Sequence, residues 1–212
     1  MQLKIDLHVH SRYSLDSLIS PNELILYAKR AGLNGVAVTD HDRLDGASRI
    51  AEETDFLIVP GMEISTLGGH VLGLNVRDAV PRGLSVDETV DRIHHAGGIA
   101  VACHPTAFFK GSLRKNVNSK FDAVEVINSA AFPFSYCASR SEKIASQLEL
   151  PRVAGSDAHY GPEIGSAHTL VEAEPNVDDI IKAIRKGLCR PMGKPIPLAM
   201  RLKREILIVF RK

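Results

Sequence analysis

The sequence has few cysteines and no long apolar run, and each of these features excludes a class of protein. Its three cysteines, Cys103, Cys137 and Cys189, are odd in number and none pairs in a Cys-x-x-Cys spacing. A disulfide framework or a thiolate zinc site is therefore not expected. No apolar stretch approaches the roughly 18 residues of a transmembrane helix, and Lys4 and Asp6 interrupt the first apolar segment, unlike a signal peptide. These features favour a protein of the reducing cytoplasm without a transmembrane segment.

The chain also lacks an excess of charge of either sign. Its formal net charge is +1 at pH 7, so the whole protein should not attract nucleic acid or membranes.

With 212 residues, 44% of them hydrophobic, the chain can bury one sizeable core. We expect one domain over 1–195, followed by an apolar and basic segment over 196–212. That segment would pack as a helix against the barrel bottom or bind a membrane surface or a partner. Nothing in the sequence indicates the oligomeric state.

Strand-like and helix-like segments alternate along the chain, which is typical of an α/β sheet or barrel. Ser20 and Glu23 form a Ser-x-x-Glu capping box, and Ser85 and Glu88 form a second one. The range 176–186 predicts a further helix, because it begins with Asn and is followed by Gly. Helices therefore separate the strand-like segments.

Histidines and carboxylates stand at the ends of successive apolar runs. Imidazole nitrogens and carboxylate oxygens are common metal ligands, and the carboxyl ends of parallel strands meet at one rim of a barrel. The pattern therefore predicts a site for several metal ions at that rim. The clusters are Asp6-Leu7-His8-Val9-His10, Thr39-Asp40-His41-Asp42, Gly61-Met62-Glu63, Cys103-His104-Pro105 and Ser156-Asp157-Ala158-His159.

One candidate ligand, His70, precedes its apolar run instead of following it. On a parallel strand it would lie at the wrong end of the barrel. The range 66–69 contains two glycines and predicts a hairpin turn. An antiparallel return strand would bring His70 beside Glu63.

These ordered blocks, which span residues 6–159, resemble the PHP (polymerase and histidinol phosphatase) family of metal-dependent phosphoesterases. A single His-x-His would be a weak signal, but five blocks in the same order are specific. The resemblance implies an α/β fold, the distorted (β/α)7 barrel of the PHP type. It also implies up to three divalent metals that hydrolyse phosphate esters.

The resemblance further implies how the ligands are grouped. The third group departs from the commoner pattern, because Leu15 separates Ser14 from Asp16. Two to three ions are expected, and mixed nitrogen and oxygen ligands accept Zn, Mn or Fe. The groups are His8, His10, Glu63 and Asp157 for the first ion, Glu63, His70 and His104 for the second, and Asp16, His41 and His159 for the third.

Such a centre would activate a water molecule as the nucleophile, so hydrolysis needs no nucleophilic side chain. Asp40 and Asp42 would then orient ligand imidazoles. Glu125 and Asn128, at the end of another strand-like segment, would orient a ligand or contact the substrate.

The stretch 106–120 is basic, contains no acidic residue, and follows His104-Pro105 directly. Its side chains would clamp a phosphate group while Phe108 and Phe109 stack on a base. A solvated surface loop is an equally good interpretation. The proposed substrate-binding residues are Lys110, Arg114 and Lys115 in this stretch, with Arg12, Arg43 and Arg140 elsewhere on the rim.

Three classes of function remain open. The first is a phosphatase acting on a small phosphate monoester, with nucleotides among the candidates. The second is a PHP-type exonuclease acting on RNA or DNA. The third is a non-catalytic scaffold, as in relatives in RNase P that have lost ligands. The balanced net charge favours the first over the second, and the near-complete ligand set disfavours the third.

Overall fold

The centre of the protein is one curved mixed sheet, seen in a computed structural model that describes residues 1–108 and 111–211. Within those residues the sheet has nine strands in the order β7-β6-β5-β4-β3-β2-β1-β8-β9. The strands are β1 (Gln2–Val9), β2 (Gly35–Val38), β3 (Leu57–Thr66), β4 (Gly69–Leu74), β5 (Ile99–Ala102), β6 (Ala123–Asn128), β7 (Arg152–Gly155), β8 (Ala167–Glu172) and β9 (Cys189–Gly193).

The sheet curls until the chain after β7 meets β1. The His10 amide donates to the Ala158 carbonyl at 3.0 Å, and the Asp157 amide donates to the His8 carbonyl at 2.8 Å. Strands β1, β2 and β3 are parallel, as are β5, β6 and β7, while β4 is antiparallel to both of its neighbours. The predicted distorted α/β barrel is confirmed, and so is the predicted β3–β4 hairpin.

Helices cover the outside of the barrel, and two of them begin at the predicted capping boxes. The Ser20 and Ser85 side chains accept from the amides of Glu23 and Glu88, whose carboxylates accept from the cap amides in return. Asn176 caps the third predicted helix. The helices are α1 (Pro21–Arg30), α2 (Asp45–Glu52), α3 (Val86–His95), α4 (Phe134–Gln147), α5 (Val177–Arg185) and α6 (Leu198–Arg211).

Helix α5 packs at the end of the barrel where β5 begins. Ile180 and Ile184 are fully buried and belong to the same core cluster as Leu72 and Val101 of the strands. Arg185 donates to the Gly98 carbonyl at 2.9 Å. The barrel bottom is therefore covered by α5.

Helix α6 lies at the opposite rim, where the parallel strands end. The Ile196 amide donates to the Ser129 carbonyl at 3.0 Å, and Arg201 donates to the carbonyls of Ser129 and Ala130 at 2.8 and 3.1 Å. The expectation that this segment covers the bottom is wrong, because Arg201 donates to carbonyls just beyond β6. The proposed domain boundary between 1–195 and 196–212 stays a prediction. Among the described residues, no helix is long and apolar enough to cross a membrane.

Replacing the cap residue Ser20 by alanine should destabilise the fold. The Glu23 amide would lose its acceptor, and such a loss costs about 1 kcal/mol of unfolding free energy. Urea unfolding of the metal-free protein measures it. Ser139→Ala, at an exposed position inside α4, is the matched control and should cause no loss. Equal stability of the two variants would contradict the capping role.

Candidate metal centre

All nine predicted ligands lie at the rim formed by the carboxyl ends of the parallel strands. Each comes from the end of a strand, from the loop after it, or from the β3–β4 hairpin. Their ligand atoms fall into overlapping groups whose members lie within 4.8 Å of one another. The groups that contain them are His8, His10, Glu63 and Asp157; His41, Glu63 and His70; Glu63, Cys103 and His104; and His10, Asp16, His41 and His159.

Glu63 stands at the centre of the site, and its side chain is only 1% exposed. Its Oε2 lies 3.1 Å from His8 Nε2 and 3.0 Å from His10 Nε2. Its Oε1 lies 2.7 Å from His70 Nδ1 and 2.8 Å from His104 Nε2. Each carboxylate oxygen therefore has a different nearest pair of imidazoles, which is the geometry expected of a residue shared by two ions. Oε2 also lies 3.5 Å from His41 Nδ1, a residue of the third group.

The first predicted group is brought together as a unit. His8 and His10 both come from the end of β1, and their Nε2 atoms are 3.1 Å apart. Asp157 Oδ1 lies 3.5 Å from His10 Nε2 and 3.8 Å from His8 Nε2. All of these side chains are buried.

The second group depends on the hairpin. His70 pairs with Ser65 across the β3–β4 ladder, two residues from Glu63, and this register brings its ring to the rim. The Cys103 thiol, which was not among the predicted ligands, lies 3.7 Å from Glu63 Oε1. Burial and the charge of Glu63 raise the pKa of Cys103 well above its usual value. In the metal-free protein this residue therefore stays a thiol.

The third group surrounds Asp16. Its Oδ2 lies 3.2 Å from His159 Nε2 and 3.4 Å from His41 Nε2, despite the intervening Leu15. The Asp16 side chain is 50% exposed, so this group is the most open of the three. Burial opposes its ionisation, but the hydrogen bonds from His159 and His41 outweigh that effect and hold the pKa of Asp16 well below its usual value.

A second layer of hydrogen bonds fixes the orientation of the ligands. Glu125 Oε1 lies 3.0 Å from His8 Nδ1, and its Oε2 accepts from the His104 amide at 2.7 Å. The Asn128 amide group donates to Asp157 Oδ2 at 3.1 Å. These contacts leave His8 Nε2 free to face the centre.

Ser14 belongs to the same layer and was missed by the sequence analysis. Its hydroxyl lies 3.3 Å from His10 Nδ1 and accepts from the His41 amide at 2.8 Å. It therefore links a ligand of the first group to the turn that carries a ligand of the third. Its position in the loop before Asp16 was the available signal.

Asp40 and Asp42 do not take the role predicted for them. Asp40 accepts from the backbone amides of Ser11 and Ser14 at 2.7 and 3.2 Å and from the Ser11 hydroxyl at 2.7 Å. Asp42 accepts from the Ser65 amide at 2.7 Å. The acids position backbone instead of imidazoles, because amides freed by the strand ends lie nearer and need acceptors.

The donor set fits divalent cations. Burial would lower the pKa of His8, but the charges of Asp157, Glu125 and Glu63 outweigh it and raise this pKa well above its usual value. Burial likewise opposes ionisation of Glu63, yet the charge of His8 and three imidazole hydrogen bonds hold its pKa well below the usual value. In the metal-free protein, a proton on the His8 ring offsets part of the charge of the buried carboxylates. Divalent ions would balance the same charge and use the ring lone pairs as ligands.

A pocket of about 600 Å³ lies beside the centre, next to the turn that carries His104. It contains three of the predicted substrate-binding residues. Lys110 lies outside the described residues. The lining includes Pro105, Phe108, Arg114, Lys115, Tyr136 and Arg140.

The other two predicted substrate-binding residues are not in this pocket. Arg43 forms an ion pair with Asp45, with Nη2 and Oδ2 2.7 Å apart and both side chains about half exposed. Its charge is therefore already paired. Arg12 is exposed in the loop after β1.

Comparisons with known proteins agree with this fold. A family model described as PHP-associated matches residues 139–189. An uncharacterized protein of Methanocaldococcus jannaschii is 34% identical over 140 residues, which cover 59% of this chain and 82% of that protein. A 5'-3' exoribonuclease of Haemophilus influenzae is 39% identical over 89 residues, which cover 39% of this chain and 32% of that enzyme.

Among solved structures, the fold is similar to a two-domain protein of Bacteroides vulgatus that contains a predicted PHP-like metal-dependent phosphoesterase. The TM-score is 0.75 at 19% identity, over 92% of this chain and 65% of that chain. The curved α/β barrel is thus the fold of PHP-like metal-dependent phosphoesterases. The chain belongs to the PHP family.

Changing Glu63 and changing Asp16 should have different effects on metal content. In Glu63→Gln both oxygen positions lose their charge, so two ligand groups should weaken together. Asp16→Ala removes an acid from the third group alone, so it should lose one ion and keep the others. Metal analysis after gentle purification measures both, and the unaltered protein should hold more than one equivalent.

Asp78→Ala, at an exposed position in the loop after β4, is the matched control and should retain the full metal content. A single ion in the unaltered protein would contradict the grouping. So would full metal content in Asp16→Ala.

Proposed function

We propose that the protein is a metal-dependent phosphoric ester hydrolase that acts on a small phosphate monoester, with nucleotides as the favoured class. The observation that carries the proposal is the placement of Glu63, whose two oxygens face separate pairs of imidazoles. A third group of ligands adjoins it through His10. A pocket with three cationic side chains includes Pro105, the residue that follows His104.

The side chains divide the chemistry between them. Divalent ions in the three groups, drawn from Zn, Mn or Fe, would supply Lewis acidity that activates water and neutralises phosphoryl oxygens. Glu63 holds two groups at a fixed separation. Glu125 and Asn128 hold His8 and Asp157 in orientation, so the ligand atoms need little rearrangement when the charge of the substrate arrives.

The pocket supports a small anionic substrate with an aromatic group. Among the described residues, Arg114, Lys115 and Arg140 have no carboxylate partner within ion-pair distance, so their charges are available to a ligand. The Phe108 and Tyr136 rings lie 5.3 Å apart at 66°, and both are about half exposed. A volume of about 600 Å³ is within the usual range for a small-molecule site.

The second candidate is an exonuclease acting on RNA or DNA. It is favoured by the resemblance to the Haemophilus influenzae exoribonuclease over 89 residues, although these cover 32% of that enzyme. The same aromatic pair would stack on bases. The net charge of +1 favours the smaller substrate, because a long strand is usually bound by an extended basic surface. A scaffold role is disfavoured, since the buried and charged ligand set is retained.

Metal-loaded protein should hydrolyse members of a panel of phosphate monoesters, with nucleotides among the better substrates. The panel should also contain dinucleotides and short RNA, and released phosphate or shortened oligonucleotide is measured. Glu63→Gln serves as the inactive control. Turnover of oligonucleotides without turnover of any monoester would favour the exonuclease instead.

Arg114→Met and Arg140→Met should raise KM for a nucleotide by about tenfold or more each and leave kcat nearly unchanged. A hydrogen bond to a charged group contributes about 1.5–3 kcal/mol, and these contacts would hold parts of the substrate away from the reacting atoms. Arg190→Met, at an exposed position on β9, is the matched control and should keep the original KM.

Unchanged KM in both pocket variants would contradict the assignment of this pocket to the substrate. Tight oligonucleotide binding whose salt dependence becomes less steep in these variants would indicate a nucleic-acid track.

A further inference from the structure

Helix α6 carries Arg201 and Arg204 toward the barrel and much of its apolar side-chain surface outward. Leu202 and Ile206 are 56% and 57% exposed, whereas the Arg204 side chain is 16% exposed. A surface helix usually buries its apolar stripe instead. The inward arginines therefore require specific partners beneath the helix.

The partner of Arg204 is Glu163, a carboxylate that is fully buried. Arg204 Nη1 donates to both Glu163 oxygens, at 3.1 and 3.2 Å. The other side of the guanidinium donates to Glu205 at 3.0 and 3.2 Å. A buried carboxylate needs such a counter-charge, because removing a charge from water is costly.

Glu163 connects this ion pair to the third ligand group. Its Oε2 accepts from the backbone amides of His159 and Tyr160 at 3.0 and 3.2 Å. The His159 ring is fixed from its other side, where Nδ1 lies 3.0 Å from the Asp157 carbonyl oxygen. His159 Nε2 is then left facing Asp16, 3.2 Å away.

We infer that Arg204 is a positioning residue for the third metal site: through Glu163 it holds the backbone of His159, so that the imidazole faces Asp16. The inference rests on the metal centre proposed above. Nothing in the ligand pattern of the sequence points to α6. The link is made by folding, across 41 positions between Glu163 and Arg204.

A different residue, Arg201, attaches α6 to the barrel. Arg201 donates to the carbonyls of Ile196, Ser129 and Ala130, which attach the helix to the end of β6. Loss of Arg204 should therefore leave α6 attached while it releases Glu163. This separation makes the two arginines a matched pair for an experiment.

The experiment titrates the metal-free full-length protein with Mn²⁺ or Zn²⁺ and counts the ions and their affinities. In Arg204→Met the weakest ion should bind 10- to 100-fold less tightly, the range expected for loss of an outer partner of a ligand, while the other ions are unaffected. Arg201→Met should not weaken that ion selectively. Lys194→Met, at an exposed position before α6, should behave as the unaltered protein.

Two outcomes would overturn the inference. One is unaltered binding of every ion in Arg204→Met, and the other is an equal effect of Arg201→Met and Arg204→Met on all ions. If Arg204→Met does not fold, Arg204→Lys decides, because it keeps the charge but not the two-oxygen contact. A weakened third ion in that variant supports the inference, and full affinity overturns it.

A histidine NMR measurement separates this inference from the proposed function. In the metal-free protein, the His159 ring signals should shift in Arg204→Met and stay unchanged in Lys194→Met. This readout requires neither phosphate hydrolysis nor bound metal. If the unaltered protein hydrolyses no ester, the proposed function fails, while the His159 signals still decide the role of Arg204. Unchanged signals in Arg204→Met would refute it.

Discussion

The Glu63 carboxylate lies between two groups of predicted ligands in the candidate metal centre. Each of its oxygens has its own nearest pair of imidazoles, at 2.7 to 3.1 Å. Such contacts inside a barrel are unfavourable unless the charge is balanced and each ring is held in one orientation. Glu125 and Ser14 meet the second requirement for His8 and His10. These contacts at the rim therefore hold the imidazoles in the orientation that faces the buried Glu63 carboxylate.

The turns that carry the ligands are held in an unfavourable backbone conformation. Asp42, His104 and Asp157 have φ values of 54°, 31° and 56°, although none is a glycine. Residues in sparsely populated regions cost on the order of 1–3 kcal/mol each. The His104 amide donates to Glu125 and the Asp157 amide donates to the His8 carbonyl, which offsets part of that cost. The same hydrogen bonds that orient the ligands thus hold the turns that present them.

How much of the structure could be predicted depends on how far apart in the sequence the interacting residues are. Caps such as Ser20 and the turn before His70 depend on residues a few positions apart, so the sequence reveals them directly. The clustering of histidines and acids at strand ends could also be predicted, because a barrel brings those ends together. The partners of Asp40 and the place of α6 could not, since Arg201 and Ser129 are 72 positions apart. An amphipathic pattern predicts which faces of a helix are apolar and polar, but it does not predict where in the fold the helix packs.

The substrate is harder to predict than the metal centre for a related reason. The loop that forms the pocket attaches to the ligand-bearing turns largely through backbone atoms. The His70 amide donates to the Gly111 carbonyl at 2.7 Å, and the Arg114 amide donates to the Pro105 carbonyl at 2.8 Å. Such backbone contacts are compatible with many side chains in the loop, although a side chain at Gly111 would collide with the His70 ring. Residues such as Arg114 can therefore change without disturbing His70 or His104, so the same candidate metal centre is compatible with different pocket side chains.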